Sequence, residues 1–74
     1  MAEPTASRTV VVKDEIGLHV RPAEMLARAA GRFVSNIELV HEQQHADAKS
    51  IMHMLTLGAR QDAVLELRAT GADA

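Results

Sequence analysis

The chain has 74 residues, a formal net charge of −2 and no cysteine. This length allows a single domain with a thin core, and the lack of cysteine excludes a disulfide scaffold and a cysteine-type zinc site. Lysine and arginine together number 8, so a nucleic-acid partner is not expected. Since Phe33 is the single aromatic residue, aliphatic side chains must build the core.

The N-terminal segment MAEPTASR has no apolar stretch of the kind found in secretory signals. We interpret residues 1–7 as a flexible tail, followed by one domain over residues 8–74. No apolar run is long enough to span a membrane. A small domain without disulfides fits a reducing compartment, so we expect a cytoplasmic protein without membrane insertion.

The hydrophobic pattern predicts four strands and two helices in the order β-α-β-β-α-β. The β-branched run from Thr9 to Val12 predicts the first strand, and alternation around Ile37 and Leu39 predicts the second. The predicted strands cover residues 8–13, 34–42, 45–48 and 63–70. A turn near residues 42–43 would join the second and third strands, although it lacks the usual Gly or Asn.

The first predicted helix covers residues 20–32, and the second lies between Ser50 as N-cap and Gly58 as terminator. In the first helix, the apolar face consists of Ala23, Leu26, Ala27 and Ala30. Glu24 and Arg28 are spaced to pair on its outer face. Helices packed on one face of an antiparallel sheet would give a two-layer α+β sandwich.

The sequence GLHVRP, at the start of the first helix, does not fit the charge preference of a helix N-terminus. A helix N-terminus has free N–H groups and a partial positive charge, so Arg21 is unfavourable there unless an anion is bound. The N–H groups of Val20 and Arg21 would then point at the anion, and the Arg21 guanidinium would hold it. His19, at the cap, could be the nucleophile that carries such a group. The alternative is that His19 only caps the helix and Arg21 is solvated.

Two motifs carry a resemblance to a known family. The first is GLHVRPAEMLARAA, and the second is AKSIMHMLTLG about thirty residues later. Together they resemble the HPr family of phosphocarrier proteins, with the likeness running from about Arg8 to Asp73. The matching positions are Gly17, His19, Arg21, Pro22 and Ala23 in the first motif, and Lys49, Ser50, Ile51, Leu57 and Gly58 in the second.

The resemblance implies an open-faced β-sandwich with an antiparallel sheet of order β1-β4-β2-β3. It implies that His19, through Nδ1, accepts a phosphoryl group from phosphorylated enzyme I, which phosphoenolpyruvate has charged. The group then passes to a sugar-specific EIIA protein, with Arg21 holding the phosphate. Such a protein is a carrier rather than an enzyme, and no cofactor is implied.

The family also suggests regulation and docking by the second motif. Some members are phosphorylated by an HPr kinase on the serine that corresponds to Ser50, although capping alone accounts for this serine. By the same analogy, the predicted docking residues are Lys49, Ile51, Met52, His53 and Leu55. Two further readings stay open: a regulatory or nitrogen-branch paralogue that signals its phosphorylation state, and an interaction module whose motif has decayed.

The chain departs from the family where a third helix would follow Gly71-Ala72-Asp73. We therefore expect apolar residues between Val34 and Leu39 and between Leu65 and Leu67 to be exposed, in a truncated domain or one that dimerises to cover them. Asp73 has the residue type of an N-cap for that helix. His41, His45 and Asp47 have a spacing that suits metal binding on a helix, but they flank a turn, so no metal site is expected.

Overall fold

The computed structural model describes residues 4–74. It contains four strands and two helices: β1 (Thr5–Val11), α1 (Val20–Ala30), β2 (Asn36–His41), β3 (Gln44–Asp47), α2 (Ile51–Leu55) and β4 (Val64–Thr70). The strands form one antiparallel sheet of order β1-β4-β2-β3, which confirms the predicted fold class. Within residues 4–74, no helix has the length and apolar character needed to cross a membrane.

The sheet has an apolar face and a polar face. Val10 pairs with Leu65 and Leu39 pairs with Leu67, so these side chains share one face and contribute to the core. On the opposite face Glu66 and Arg68 form an ion pair, and His45 Nδ1 lies 3.1 Å from Glu38 Oε2. The alternation therefore produces the open-faced sandwich.

The core is built from small and aliphatic residues. Leu39 and Met54 are its largest fully buried side chains, and Ala23 and Ala30 bring α1 close to the rest of the cluster. Leu26 and Ala27 are partly buried on the same face of α1, so the predicted apolar face is confirmed. The expected pair between Glu24 and Arg28 is present at 3.0 Å.

The first strand starts earlier than predicted. β1 begins at Thr5, because it pairs with β4 along its whole length, from Thr5↔Thr70 to Val11↔Val64. The predicted boundary at Arg8 is therefore wrong, and residues 5–7 belong to the sheet rather than to a tail. The remainder of the predicted tail, residues 1–3, lies outside the described residues.

The segment between α1 and β2 is also longer than predicted. α1 ends at Ala30 instead of residue 32, and Gly31, its C-cap, donates its N–H to Ala27 O at 2.9 Å. β2 begins at Asn36 instead of residue 34. The two-residue turn 42–43 is present, and Glu42 occupies the left-handed region at φ 57 without the usual Gly or Asn.

The expected exposure of the apolar sheet residues is mostly wrong. Ile37, Leu39 and Leu65 are buried in the core cluster, because the helices and neighbouring strands already cover them. Val34 is the exception, with 90% of its surface exposed. A groove remains on the sheet surface beside Phe33, and residues of β1 together with Leu67 and Ala69 of β4 line it.

Asp73 has a different partner from the one its residue type suggested. Its carboxylate accepts hydrogen bonds from the N–H groups of Val34 and Ser35, both at 2.8 Å, and from the Ser35 hydroxyl. Gly71 permits this approach, because a Cβ there would lie 2.5 Å from Ser35 Oγ. The Asp73 carboxylate thus satisfies the donors that precede β2, which explains why β2 begins at Asn36.

The Asp73 contact makes stability depend on acid pH. The Ser35 hydroxyl and the two backbone N–H groups lower the pKa of Asp73 from 3.8 to about 2. Because the pKa is lower in the folded chain, the contact stabilises fully above pH 3.8, and this contribution is lost as pH falls through about 2. We expect Asp73→Asn to lower the melting temperature at neutral pH, with the difference from wild type shrinking as pH falls through this window.

The matched control is Asp62→Asn, which removes the same charge from an exposed residue in the loop before β4. Thermal unfolding followed by circular dichroism between pH 7 and about pH 2 measures both differences. A pH-independent deficit in Asp73→Asn would contradict a role for the ionised carboxylate.

Candidate functional site

His19 stands at the N-cap of α1, as predicted, but its side chain does not cap the helix. The backbone is extended there, at φ −123° and ψ −173°, and the ring makes no hydrogen bond to the first turn. Instead, Nε2 lies 3.0 Å from Oδ2 of Asp14. The reading of His19 as a simple capping side chain is therefore wrong, and the ring is 30% exposed to solvent.

The loop before His19 is fixed by close backbone contacts. Gly17 has φ +86°, and a Cβ on it would come within 2.5 Å of the Ala59 carbonyl oxygen. The next residue, Leu18, donates its N–H to the same oxygen at 2.9 Å. Gly17 thus makes a tight turn, which fixes the His19 loop against the segment that follows α2.

The first turn of α1 leaves donors free for an anion. The N–H groups of Val20 and Arg21 have no acceptor within residues 4–74, while Pro22 has no N–H to satisfy. The first turn contains no acidic residue. Arg21 is exposed, and across the described chain its guanidinium takes part in no ion pair. No side chain of the first turn therefore compensates the positive end of the helix dipole.

Asp14 is itself held in place. Its Oδ1 accepts the N–H of Ile16 at 2.9 Å, and its backbone carbonyl accepts the N–H of Gly17 at 2.9 Å. The hydrogen bond from His19, followed by that from the Ile16 N–H, lowers the pKa of Asp14 below its ordinary value of 3.8. The carboxylate is therefore ionised at neutral pH.

The second motif forms α2, which packs against α1. Ser50 is its N-cap, as predicted, and its hydroxyl accepts the N–H of His53 at 3.2 Å. Leu55 and Ile51 are half-buried against the core, whereas Met52 is 75% exposed. Of the five predicted docking residues, Met52 therefore offers the largest apolar surface.

Two of the predicted docking residues are engaged within the protein. Lys49 donates through Nζ to the Phe33 carbonyl at 2.6 Å. His53 accepts the N–H of Asp47 through Nδ1 at 3.0 Å, so its ring is bonded to the end of β3. These contacts reduce the freedom of both side chains to meet a partner.

The histidines with metal-like spacing, His41 and His45, do not converge on a common site. His45 contacts Glu38, and His41 Nε2 lies 3.9 Å from Glu42 Oε1. Between residues 4 and 74, no group of three or more His, Asp or Glu side chains is arranged to hold a metal ion.

Sequence reasoning missed Asp14 and Ile16. Ile16 is 76% exposed beside the His19 loop, and it adds apolar surface near the site. An acidic residue five positions before a candidate nucleophilic histidine is a usable signal, because a turn can bring the two together. The turn between them depends on contacts with Ala59, which local sequence does not reveal.

Comparisons with known proteins show what this chain is similar to. A family model described as the PTS HPr component phosphorylation site matches residues 6–74. The phosphocarrier protein HPr of Mycoplasma capricolum is 33% identical over 69 residues, covering 93% of this chain and 78% of that protein.

Solved structures give the same result. The structure of a mycoplasma histidine-containing phosphocarrier protein superposes with a TM-score of 0.88 at 33% identity, covering 93% of this chain and 78% of that one. An HPr from Thermoanaerobacter tengcongensis gives 0.83 at 37% identity, with coverages of 92% and 76%. HPr from Bacillus anthracis gives 0.82 at 28% identity, with coverages of 95% and 83%.

The close approach of Gly17 to Ala59 predicts that substitution by alanine destabilises the fold more at Gly17 than at Gly58. Gly17→Ala should destabilise the fold by about 2 kcal/mol, because a left-handed backbone and a clash with a carbonyl oxygen combine. Gly58→Ala should cost only about 1 kcal/mol, since Gly58 also has positive φ but open space around its Cβ position. Urea unfolding of both variants measures the change in the free energy of unfolding. An equal decrease in the two variants would contradict the role of the close contact.

Proposed function

The chain belongs to the HPr family of phosphocarrier proteins, and on that premise we propose that it accepts a phosphoryl group on His19 from phosphorylated enzyme I. It then passes the group to a sugar-specific EIIA protein. The reaction takes place in the cytoplasm. The chain acts as a carrier that alternates between a free and a phosphorylated histidine, and enzyme I and EIIA are its partners.

The observation that carries this proposal is the arrangement at the start of α1. A half-buried histidine precedes a helix turn with two unpartnered N–H groups, no acidic residue and an unpaired arginine. A phosphoryl group on the His19 ring would be a dianion at a site of positive potential. The backbone of Val20 and Arg21 would donate to its oxygens, and the Arg21 guanidinium would reach it from solvent.

The docking surface that we propose combines the starts of the two helices. Ile16 and Val20 are exposed apolar side chains close in sequence to the partly exposed His19, and Met52 is an exposed apolar side chain of α2. Such a surface suits brief encounters with protein partners, since methionine and aliphatic side chains adapt to different surfaces. Ile51 and Leu55 are half-buried against the core, whereas Lys49 and His53 are exposed but each is held by a hydrogen bond within the protein.

Regulation through Ser50 stays a prediction. The hydroxyl caps α2, and this contact alone accounts for a serine at that position. A phosphate there would lie at a helix N-terminus, where negative charge is tolerated. The readings as a regulatory or nitrogen-branch paralogue differ from the lead proposal in the partner that receives the signal, and both retain phosphorylation of His19.

Phosphorylation by enzyme I tests the proposal directly. When the protein is incubated with phosphoenolpyruvate and enzyme I, we expect one added phosphate that is acid-labile and sensitive to hydroxylamine. His19→Ala should abolish the adduct, because it removes the nucleophile. Intact-mass spectrometry detects the addition, and His45→Ala serves as the matched control because His45 lies on the opposite face of the sheet. An adduct that persists in His19→Ala would remove the proposal.

Arg21 is expected to affect the rate of transfer rather than stability. Arg21→Ala should slow phosphorylation roughly ten-fold, since a charge-assisted hydrogen bond to the phosphoryl group is lost. Its melting temperature should be close to that of wild type, because the guanidinium has no ion-pair partner among the described residues. Arg32→Ala, beyond the other end of α1, is the control of equal charge. An unchanged rate in Arg21→Ala would refute the phosphate clamp.

A further inference from the structure

The contact between Asp14 and His19 fixes which ring nitrogen is free. Asp14 is ionised and can only accept, so Nε2 of His19 must donate across the 3.0 Å separation. When the ring is neutral, its single proton is therefore on Nε2, and Nδ1 keeps its lone pair. Across residues 4–74, Nδ1 has no hydrogen-bond partner.

The Asp14 carboxylate is positioned by the same loop that places His19. Its Oδ1 is occupied by the Ile16 N–H at 2.9 Å, so Oδ2 is the oxygen left for the ring. The contacts of Gly17 and Leu18 with Ala59 fix the position of this loop. The orientation of the carboxylate is thus set by backbone geometry, independently of the histidine.

We propose that Asp14 is a positioning residue for phosphoryl transfer, which keeps the proton on Nε2 of His19 throughout the cycle and presents Nδ1 as the nucleophile. This inference rests on the proposed carrier function. It assigns to Asp14 the role that a carboxylate plays wherever it holds an imidazole in one tautomer and stabilises the imidazolium.

The transfer then needs no proton movement. In the first step the Nδ1 lone pair forms a bond to phosphorus, while the bond from phosphorus to its donor atom on enzyme I breaks and its electron pair leaves with the donor. The His19 ring now bears phosphorus on Nδ1 and hydrogen on Nε2, so it has a formal positive charge beside the Asp14 carboxylate.

The second step reverses the electron flow. A lone pair of the acceptor forms a bond to phosphorus, the Nδ1–phosphorus bond breaks, and its electron pair returns to Nδ1. The proton stays on Nε2, and the ring is neutral again. The protonated adduct releases neutral imidazole, which is a better leaving group than the imidazolate that an unprotonated adduct would release, so Asp14 also keeps the phosphoryl group transferable.

Asp14→Asn separates this role from a structural one. The amide oxygen can still accept the Ile16 N–H, so the turn should be kept. The NH₂ group would then face Nε2 and donate to it, which reverses the tautomer and moves the ring proton to Nδ1. The lone pair on Nδ1 is lost in that tautomer, so attack on phosphorus should slow.

Three measurements test the inference without enzyme I. Nitrogen-15 NMR of the His19 ring, under mildly alkaline conditions, should show hydrogen on Nε2 in wild type, on Nδ1 in Asp14→Asn, and a mixture of the two neutral tautomers in Asp14→Ala. Phosphorylation by phosphoramidate should be about five-fold slower in Asp14→Asn, a size expected for an exposed charged pair. The phosphohistidine of Asp14→Ala should hydrolyse more slowly than that of wild type.

Glu15→Gln is the control, since it removes one negative charge from the adjacent exposed position. It should leave the tautomer and both rates as in wild type. A wild-type ring with its proton on Nδ1, or an Asp14→Asn variant with unchanged tautomer and rate, would overturn the inference. If these results hold but enzyme I fails to phosphorylate the wild type, the proposed function is lost while the role of Asp14 toward His19 stands.

Discussion

The carbonyl oxygen of Ala59 is the point on which the arrangement of the site depends. It accepts the Leu18 N–H, and the absence of a side chain on Gly17 allows the loop to approach it. This contact joins the segment that follows α2 to the loop that precedes α1. This hydrogen bond and this close backbone approach therefore help to hold the start of α1, the His19 ring and Asp14 relative to the core.

Groups of opposite charge lie on the two sides of the His19 ring at the start of α1. The helix end and Arg21 favour an anion, while Asp14, five residues before His19, supplies a negative charge on the other side of the ring. The imidazole lies between them. A phosphorylated, protonated His19 would carry a negative group toward the helix and a positive ring toward Asp14, so each part of the adduct would meet the opposite charge.

Much of the fold could be predicted from the sequence, because the period of the apolar residues is strong. Alternation around Ile37 and Leu39 identified β2, and Ser50 identified the start of α2. The predicted strand boundaries were wrong where contacts with distant parts of the chain determine where a strand begins. β1 begins at Thr5 because β4 is there to pair with it, and β2 begins at Asn36 because Asp73 takes the donors before it. At the site, His19 and Arg21 could be identified from an unfavourable charge at a helix start, whereas Asp14 required the turn geometry.

The strand order also affects how the chain can fold. β4 lies between β1 and β2, so both of its partners precede it in sequence, and only the β2–β3 hairpin is local. Bringing β4 to β1 and β2 closes long loops, and the loss of chain entropy comes before the strand contacts that offset it. During synthesis, the edges of β1 and β2 that pair with β4 stay unpaired until β4 has left the ribosome. The two helices and the hairpin can form early, but the sheet can assemble only when the last strand is available.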